Sequence, residues 1–246
     1  MPEQPRSASA GTSAGTSPAP QPVTATPLPA ILLLFSVSTG IIDAVSVLGL
    51  GNVFTANMTG NVVFLGFGVA GERGFLLDLL IGALVAFLVG AAAGGRIASW
   101  HKGSPVHRWL VRCASVEALL ILGAAVVVLV SGDTGAHTTR LVLIVLLALA
   151  MGLRNATVRR LGIADMTTTV LTLTLTGLAA DSTAAGGTNP NLGRRGGAVS
   201  AIFLGAAIGA ALLGAFGASL PLALAGLLTI GSVLAVRGHG ALQRAA

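Results

Sequence analysis

Long apolar runs alternate with short polar breaks along the chain, and six of the runs approach the length of about 20 apolar residues that a helix needs to cross a hydrocarbon core. They cover residues 28–49, 75–98, 109–130, 137–157, 197–216 and 218–236. The fourth is the weakest, because Arg140 and Arg154 lie near its two ends and both are expected to reach toward headgroups. Two further segments, 53–70 and 166–181, are shorter or more polar than the six. Residues 1–27 are rich in Ser, Thr, Ala and Pro with almost no bulky apolar residue, so they are expected to stay disordered and uncleaved. The pattern predicts an all-α polytopic membrane bundle of about six transmembrane helices plus two short polar segments, re-entrant or broken. A single membrane domain covers 28–236, with a short cytoplasmic tail over 237–246.

Composition agrees with lipid as the solvent. Hydrophobic residues make up 54% of the 246 and charged residues only 9%, against roughly 25% charged in a soluble chain. Thirty-four glycines, 4% aromatics and no Tyr describe helices that approach through small residues. The net charge of +6 does not indicate nucleic acid, because the basic residues are scattered between apolar runs. Cys113 alone excludes an internal disulfide, and His101, His107, His137 and His239 show no metal-site spacing. No metal or cofactor is expected.

The two halves of the chain, about 28–131 and 137–236, form a weak internal repeat. Asp43-Ala44-Val45 resembles Asn155-Ala156-Thr157, and Gly49 with Thr55, Thr59 and Asn61 resembles Gly162 with Thr168, Thr172 and Thr174. Small residues then recur at every fourth position: Gly82, Ala86, Gly90, Gly94 and Ala98 in the first half, Gly205 with Gly209 and Ala206, Ala210 with Gly214 in the second. These faces also offer a route to a homo-oligomer.

Short loops rich in Lys and Arg face the cytoplasm. With both short segments re-entrant and the N-terminus inside, twelve of the 14 Lys and Arg lie inside and only Arg73 and Arg140 outside. If both segments span, the ratio falls to 7 to 7. A mixed arrangement, with only the first segment spanning, gives 11 to 3, so the first segment is less decided than the second. Three spans per half give the halves opposite orientations, the inverted repeat of many transporters. The expected location is a bacterial inner membrane, with both termini cytoplasmic.

The polar segments carry the candidate chemistry. Val53-Phe54-Thr55-Ala56-Asn57-Met58-Thr59-Gly60-Asn61 sets two Thr, two Asn and a Gly between apolar stretches, where amides and hydroxyls need one another, freed backbone groups or a wet cavity. Thr172 to Thr176 alternate with Leu in the second segment, which is read as a short or broken helix because an open strand edge cannot face lipid. The opposing reading is that each Thr bonds back to its own helix and joins helices. Asp43 lies inside the first run, where a carboxylate points to proton or cation coupling, or else sits near the helix end, wetted by the interface or capping the next segment. Asn155 holds the related position without the charge. Glu117 is expected to pair with Arg112 or a neighbouring helix, and Asp165 and Asp181 to cap the second segment. Arg154, Arg159 and Arg160 are expected to anchor the chain at the cytoplasmic surface, with an anionic ligand at Arg154 the lesser reading. No phosphate loop, zinc helix or nucleophile elbow is present, and an enzyme is not expected.

Several of these motifs together resemble the YoaK-type family of small bacterial inner-membrane proteins, a family whose function is not established. The resemblance rests on Ile42-Asp43-Ala44-Val45 with Gly49, on the segment from Val53 to Asn61, on Ala150-Met151-Gly152-Leu153-Arg154-Asn155-Ala156 and on Asp165-Met166-Thr167-Thr168-Thr169-Val170-Leu171-Thr172. It covers nearly everything after the N-terminal tail and implies a bacterial multi-pass protein, but supplies no substrate, cofactor or catalytic residue. Leu173 departs from the Gly that would match Gly60.

The residues taken together support a transporter or channel for an unidentified small solute or ion, with Asp43, Thr55, Asn57, Thr59, Gly60, Asn61, Asn155, Thr168 and Thr172 lining a site where the polar segments meet. The alternative is a non-transporting sensor, assembly factor or partner subunit whose polar segments only pack helices. A lipid-modifying enzyme, for which only Asp43 and Glu117 are at hand, is the weakest option.

Overall fold

A computed structural model of the protein describes residues 28–101, 106–132, 134–161 and 171–238. The tail 1–27, the last eight residues, and Gly162, Asp165 and Thr168 lie outside the described residues. Within them the elements are α1 (Leu28–Gly49), α2 (Met58–Val69), α3 (Leu77–Trp100), α4 (Val106–Ser131), α5 (His137–Leu161), α6 (Thr172–Ala180), a short 3₁₀ turn (Thr183–Ala185), α7 (Leu192–Phe216) and α8 (Ser219–Gly238).

Six of the helices, α1, α3, α4, α5, α7 and α8, are long and apolar enough to cross a membrane. The protein is a membrane helix bundle. At 1.5 Å per residue, α2 with 12 residues and α6 with 9 reach only about 18 Å and about 14 Å, short of the roughly 30 Å hydrocarbon core. Thr172 to Thr176 are helical, as the argument against an open strand edge requires. Residues 53–57, expected with the first polar segment, form the irregular approach to α2.

Helix directions follow from contacts at the ends. A side chain at Gly51, just past α1, would reach Arg140 in the first turn of α5 and Leu79 in the first turn of α3, so α1 runs opposite to both. Gly205 of α7 sits on the Val37 carbonyl and Gly209 on Ile41, which makes α1 and α7 parallel. Gly90 and Gly94 of α3 sit on Leu149 and Leu153 in the same way, which makes α3 and α5 parallel. These two pairs are the tightest packings with α4 on α8, while α5 packs on α4 and α1 on α8. Each short helix lies on the long helix that follows it, α2 on α3 and α6 on α7. Gly90 and Gly94 of α3 and Gly205 and Gly209 of α7 are thus packed inside the chain, while Gly214 has open space beside it.

The apolar interior divides into two clusters. One holds Ile41, Val45, Leu80, Ile121, Leu147 and Leu222; the other holds Leu32, Phe35, Leu110, Cys113, Leu153 and Val233. Where they adjoin, near the middle of α1, α4 and α8, the interior turns polar: Ser38, Thr39, Glu117 and Thr229 are all buried there, with Arg154 of α5.

Candidate functional site

The first polar segment is folded onto itself. Asn61, in the first turn of α2 and fully buried, accepts the Phe54 N–H at 2.9 Å and donates to the Phe54 carbonyl at 2.6 Å. One side-chain amide thereby replaces the ladder that Phe54 cannot form in an irregular stretch. Asn57 caps α2 by accepting the Gly60 N–H at 3.5 Å, and a side chain at Gly60 would strike the Phe54 ring. Four of the eight phenylalanines complete the clamp: Phe64 lies 5.9 Å from Phe54 and 5.0 Å from Phe75, and Phe67 meets Phe75 edge-on at 5.5 Å. Thr59 is exposed, and the fully buried Thr55 hydroxyl has no partner.

Asn57, Gly60 and Asn61 are therefore committed to holding the segment's shape. Asn61→Ala should cost ~1–3 kcal/mol, because it strands both Phe54 backbone groups, and Asn57→Ala about 1 kcal/mol for a lost cap. Thermal unfolding of the purified variants in detergent measures both, and equal midpoints for Asn61→Ala and the unmodified chain would remove the clamp from the account.

Among the described residues of the second segment, α6 packs chiefly on α7 and not on α2. Thr172 is exposed and its carbonyl accepts the Thr176 hydroxyl at 2.9 Å, while Thr174, the counterpart of Asn61, is buried. Arg195 of α7 closes the end of α6, donating to the Gly177 carbonyl and to Asp181, each at 2.7 Å. Asp181 thus takes part in closing α6 through an ion pair. Asn155 donates to the Met151 carbonyl of its own helix at 2.8 Å. The described residues of the expected site thus belong to separate local structures, with Thr168 outside the described residues.

Asp43, inside α1, lies against the first of these segments. Its Oδ1 is buried without a hydrogen-bond partner; the backbone N–H groups of Ala56 and Thr55 and, through space, the Arg154 guanidinium act on the carboxylate. Asp43 and the polar stretch after α1 are thus brought together, as the capping reading required.

The most concentrated polar site is one the motif reading passed over. Arg154 is 1% exposed, and all five of its donors are engaged by three other helices. Nε donates to Glu117 of α4 at 2.8 Å, and Nη2 reaches the same carboxylate oxygen. Nη1 donates to the Phe35 carbonyl at 2.8 Å and to Thr39 at 2.7 Å on α1, while Nη2 also meets Ser38 at 3.1 Å and Thr229 of α8 at 3.2 Å. The Phe35 ring lies 5.0 Å from the guanidinium carbon.

This overturns the expectation that Arg154 anchors the chain at the surface. Helix α5 continues to Leu161, past the expected end at residue 157, so Arg154 lies about two turns from the helix end and faces inward. It therefore drops out of the topology count, leaving Arg159 and Arg160 in the last turn. Glu117 pairs with this neighbouring helix and not with Arg112, which contacts His101 at 2.5 Å. Ser38, Thr39 and Thr229 gave no motif; their signal is a hydroxyl in mid-span aligned with a lone acid in another span.

Six long apolar helices around a buried ion pair define a polytopic membrane protein. A family model described as "Protein of unknown function (DUF1275)" matches residues 31–234, and the chain belongs to that family. It is 30% identical over 151 residues to the UPF0700 transmembrane protein YoaK of Bacillus subtilis (strain 168), a match covering 61% of this chain and 65% of that one. No solved structure matches the chain.

Proposed function

We propose that the protein moves a small solute or ion across the bacterial cell membrane, through a path whose polar element is the mid-span cluster of Arg154, Glu117, Ser38, Thr39 and Thr229 with Asp43 beside it. One observation carries this reading: a buried arginine–carboxylate pair set among three hydroxyls where helices of both halves meet. Ionisable groups inside a membrane are costly and mark transport paths and relays more often than packing. Asp43 adds a carboxylate beyond the one that Arg154 neutralises, so the path favours a cation or a cation-coupled solute.

The halves support the reading as an inverted repeat. Exchanging α1 with α5, α2 with α6, α3 with α7 and α4 with α8 maps the packing pairs onto one another, and α1 runs opposite to α5. The arginine-rich end, where α1 and α7 start and α3, α5 and α8 finish, faces the cytoplasm in this reading.

Purified protein in liposomes, screened with monovalent cations and small polar metabolites under imposed pH and voltage gradients, should move at least one of them. Asp43→Asn should change that flux at least tenfold while the variant still folds, because the Asn side-chain oxygen can still accept from the Ala56 and Thr55 backbone N–H groups. Folded protein that moves nothing across the screen would sink the proposal. A second reading has its own observation: every Arg154 donor is satisfied within the chain, as in a cluster that only fixes helix register. In that case Glu117→Gln changes stability and no flux exists to lose.

A further inference from the structure

A groove of about 370 Å³ opens at the arginine-rich end between the finish of α3, the start of α4 and the finish of α8. Its wall is apolar, lined by the partly buried Ile97 and Val111 and the exposed Val116, where α3 and α4 pack only sparsely. Its rim is basic through Arg112 and Arg237, with His101 beside them. An apolar trough with a cationic rim at the end of transmembrane helices has the chemistry of one acyl chain and one anionic headgroup.

Two details sharpen the match. First, Arg112 is held without being neutralised. His101 Nδ1 lies 2.7 Å from the Ile97 carbonyl, which makes it the protonated nitrogen and leaves Nε2 to accept from Arg112 at 2.5 Å. The guanidinium is thereby aimed by an uncharged partner, and no described carboxylate is in ion-pair contact with it. Second, charge at this end is one-sided. Arg96, Arg108, Arg112, Arg159, Arg160, Arg194 and Arg237 gather there, and the described acid at this end, Asp181, is engaged by Arg195. Arg96 also lies 5.4 Å from the centre of the Trp100 ring, which is 69% exposed beside the groove, in the manner of an aromatic residue at the headgroup level.

We infer that this groove is a binding site for an anionic glycerophospholipid, with the phosphate on Arg112 and Arg237, His101 holding Arg112 in place, and an acyl chain along Ile97, Val111 and Val116. The site is separate from the mid-span cluster and does not depend on whether the protein transports anything.

Trp100 provides the reporter. The chain has two tryptophans, and Trp109 is buried, so Trp109→Phe leaves Trp100 alone at the groove. Full-length Trp109→Phe protein in vesicles of phosphatidylcholine with a minor fraction of chain-brominated phosphatidylglycerol should be quenched several-fold more than with brominated phosphatidylcholine at the same fraction. Arg112→Gln and Arg237→Gln should each lower that preference about five-fold, the ratio expected for one cation at a membrane surface. Val116→Phe fills the trough without touching charge and should lower it as well; unchanged emission in pure phosphatidylcholine certifies that each variant is folded. Equal quenching by the two brominated lipids, or a preference that survives Val116→Phe, reduces the contact to a diffuse lipid annulus and overturns the inference. Displacement by millimolar glycerol phosphate overturns it in favour of a soluble phosphate, and insensitivity to that competitor supports the lipid.

Discussion

Glu117→Leu alone should destabilise the protein by ~3–5 kcal/mol, and Arg154→Met alone by a similar amount, because each leaves its partner as an uncompensated charge in the apolar interior. The double variant should regain most of the loss. Its two side chains are apolar and of similar reach, and the remaining hydroxyls keep acceptors on the helix backbones: Thr39 on Phe35 at 2.9 Å, Thr229 on Ala225 at 3.0 Å and Ser38 on Ala225 at 3.2 Å. Equilibrium unfolding in detergent micelles, run on all four forms, gives the coupling directly. Additive losses would show that Arg154 and Glu117 do not depend on one another, against the geometry. The same four proteins separate stability from transport: a double variant that folds well and carries no flux places the pair on the path, whereas one that folds and still moves solute confines it to a structural role.

The spans were legible because hydrocarbon imposes a length and a composition that each helix must meet by itself. The first run ends where α1 ends, at Gly49, and the others agree to within a few residues. The largest departure is at α7, which starts at Leu192, five residues before the apolar run, because Arg195 is folded back onto Gly177 and Asp181 and so sits inside a helix without facing lipid. What a single helix cannot show is its partner. Arg154 looks like Arg159 and Arg160 when read in sequence, and only Glu117, 37 residues away, and Thr39, 115 residues away, make it a core residue. The Asn-rich motif misled in the opposite sense. Asn57 and Asn61 were conspicuous because an irregular stretch near lipid needs amides, and the structure uses them for that purpose, on the backbone of Phe54 and Gly60. Conspicuous polarity marked a local need, and the shared polar site was assembled from hydroxyls that looked ordinary.

The glycine contacts offer the sharpest test of the repeat, because they predict effects in pairs. Gly40 of α1 faces the Ile202 carbonyl and the Ala206 N–H of α7, and Gly152 of α5 faces the Phe87 carbonyl and the Ala91 N–H of α3. Gly205 on Val37 is matched by Gly90 on Leu149, and Gly209 on Ile41 by Gly94 on Leu153. For Gly40, Gly152, Gly90 and Gly205 the obstacle is backbone, which cannot turn aside as a side chain does, so a single methyl group forces two helices apart. Gly40→Ala and Gly152→Ala should each cost ~1–3 kcal/mol or more and should agree with one another more closely than with other sites. Gly90→Ala should likewise match Gly205→Ala. Gly95→Ala and Gly123→Ala, which meet nothing within 4 Å, serve as controls and should be neutral or slightly stabilising, since Ala is the better helix former. Unfolding midpoints for the six variants decide the matter. A severe Gly40→Ala beside a silent Gly152→Ala would mean that the two crossings are not equivalent, and the inverted repeat would lose its strongest support.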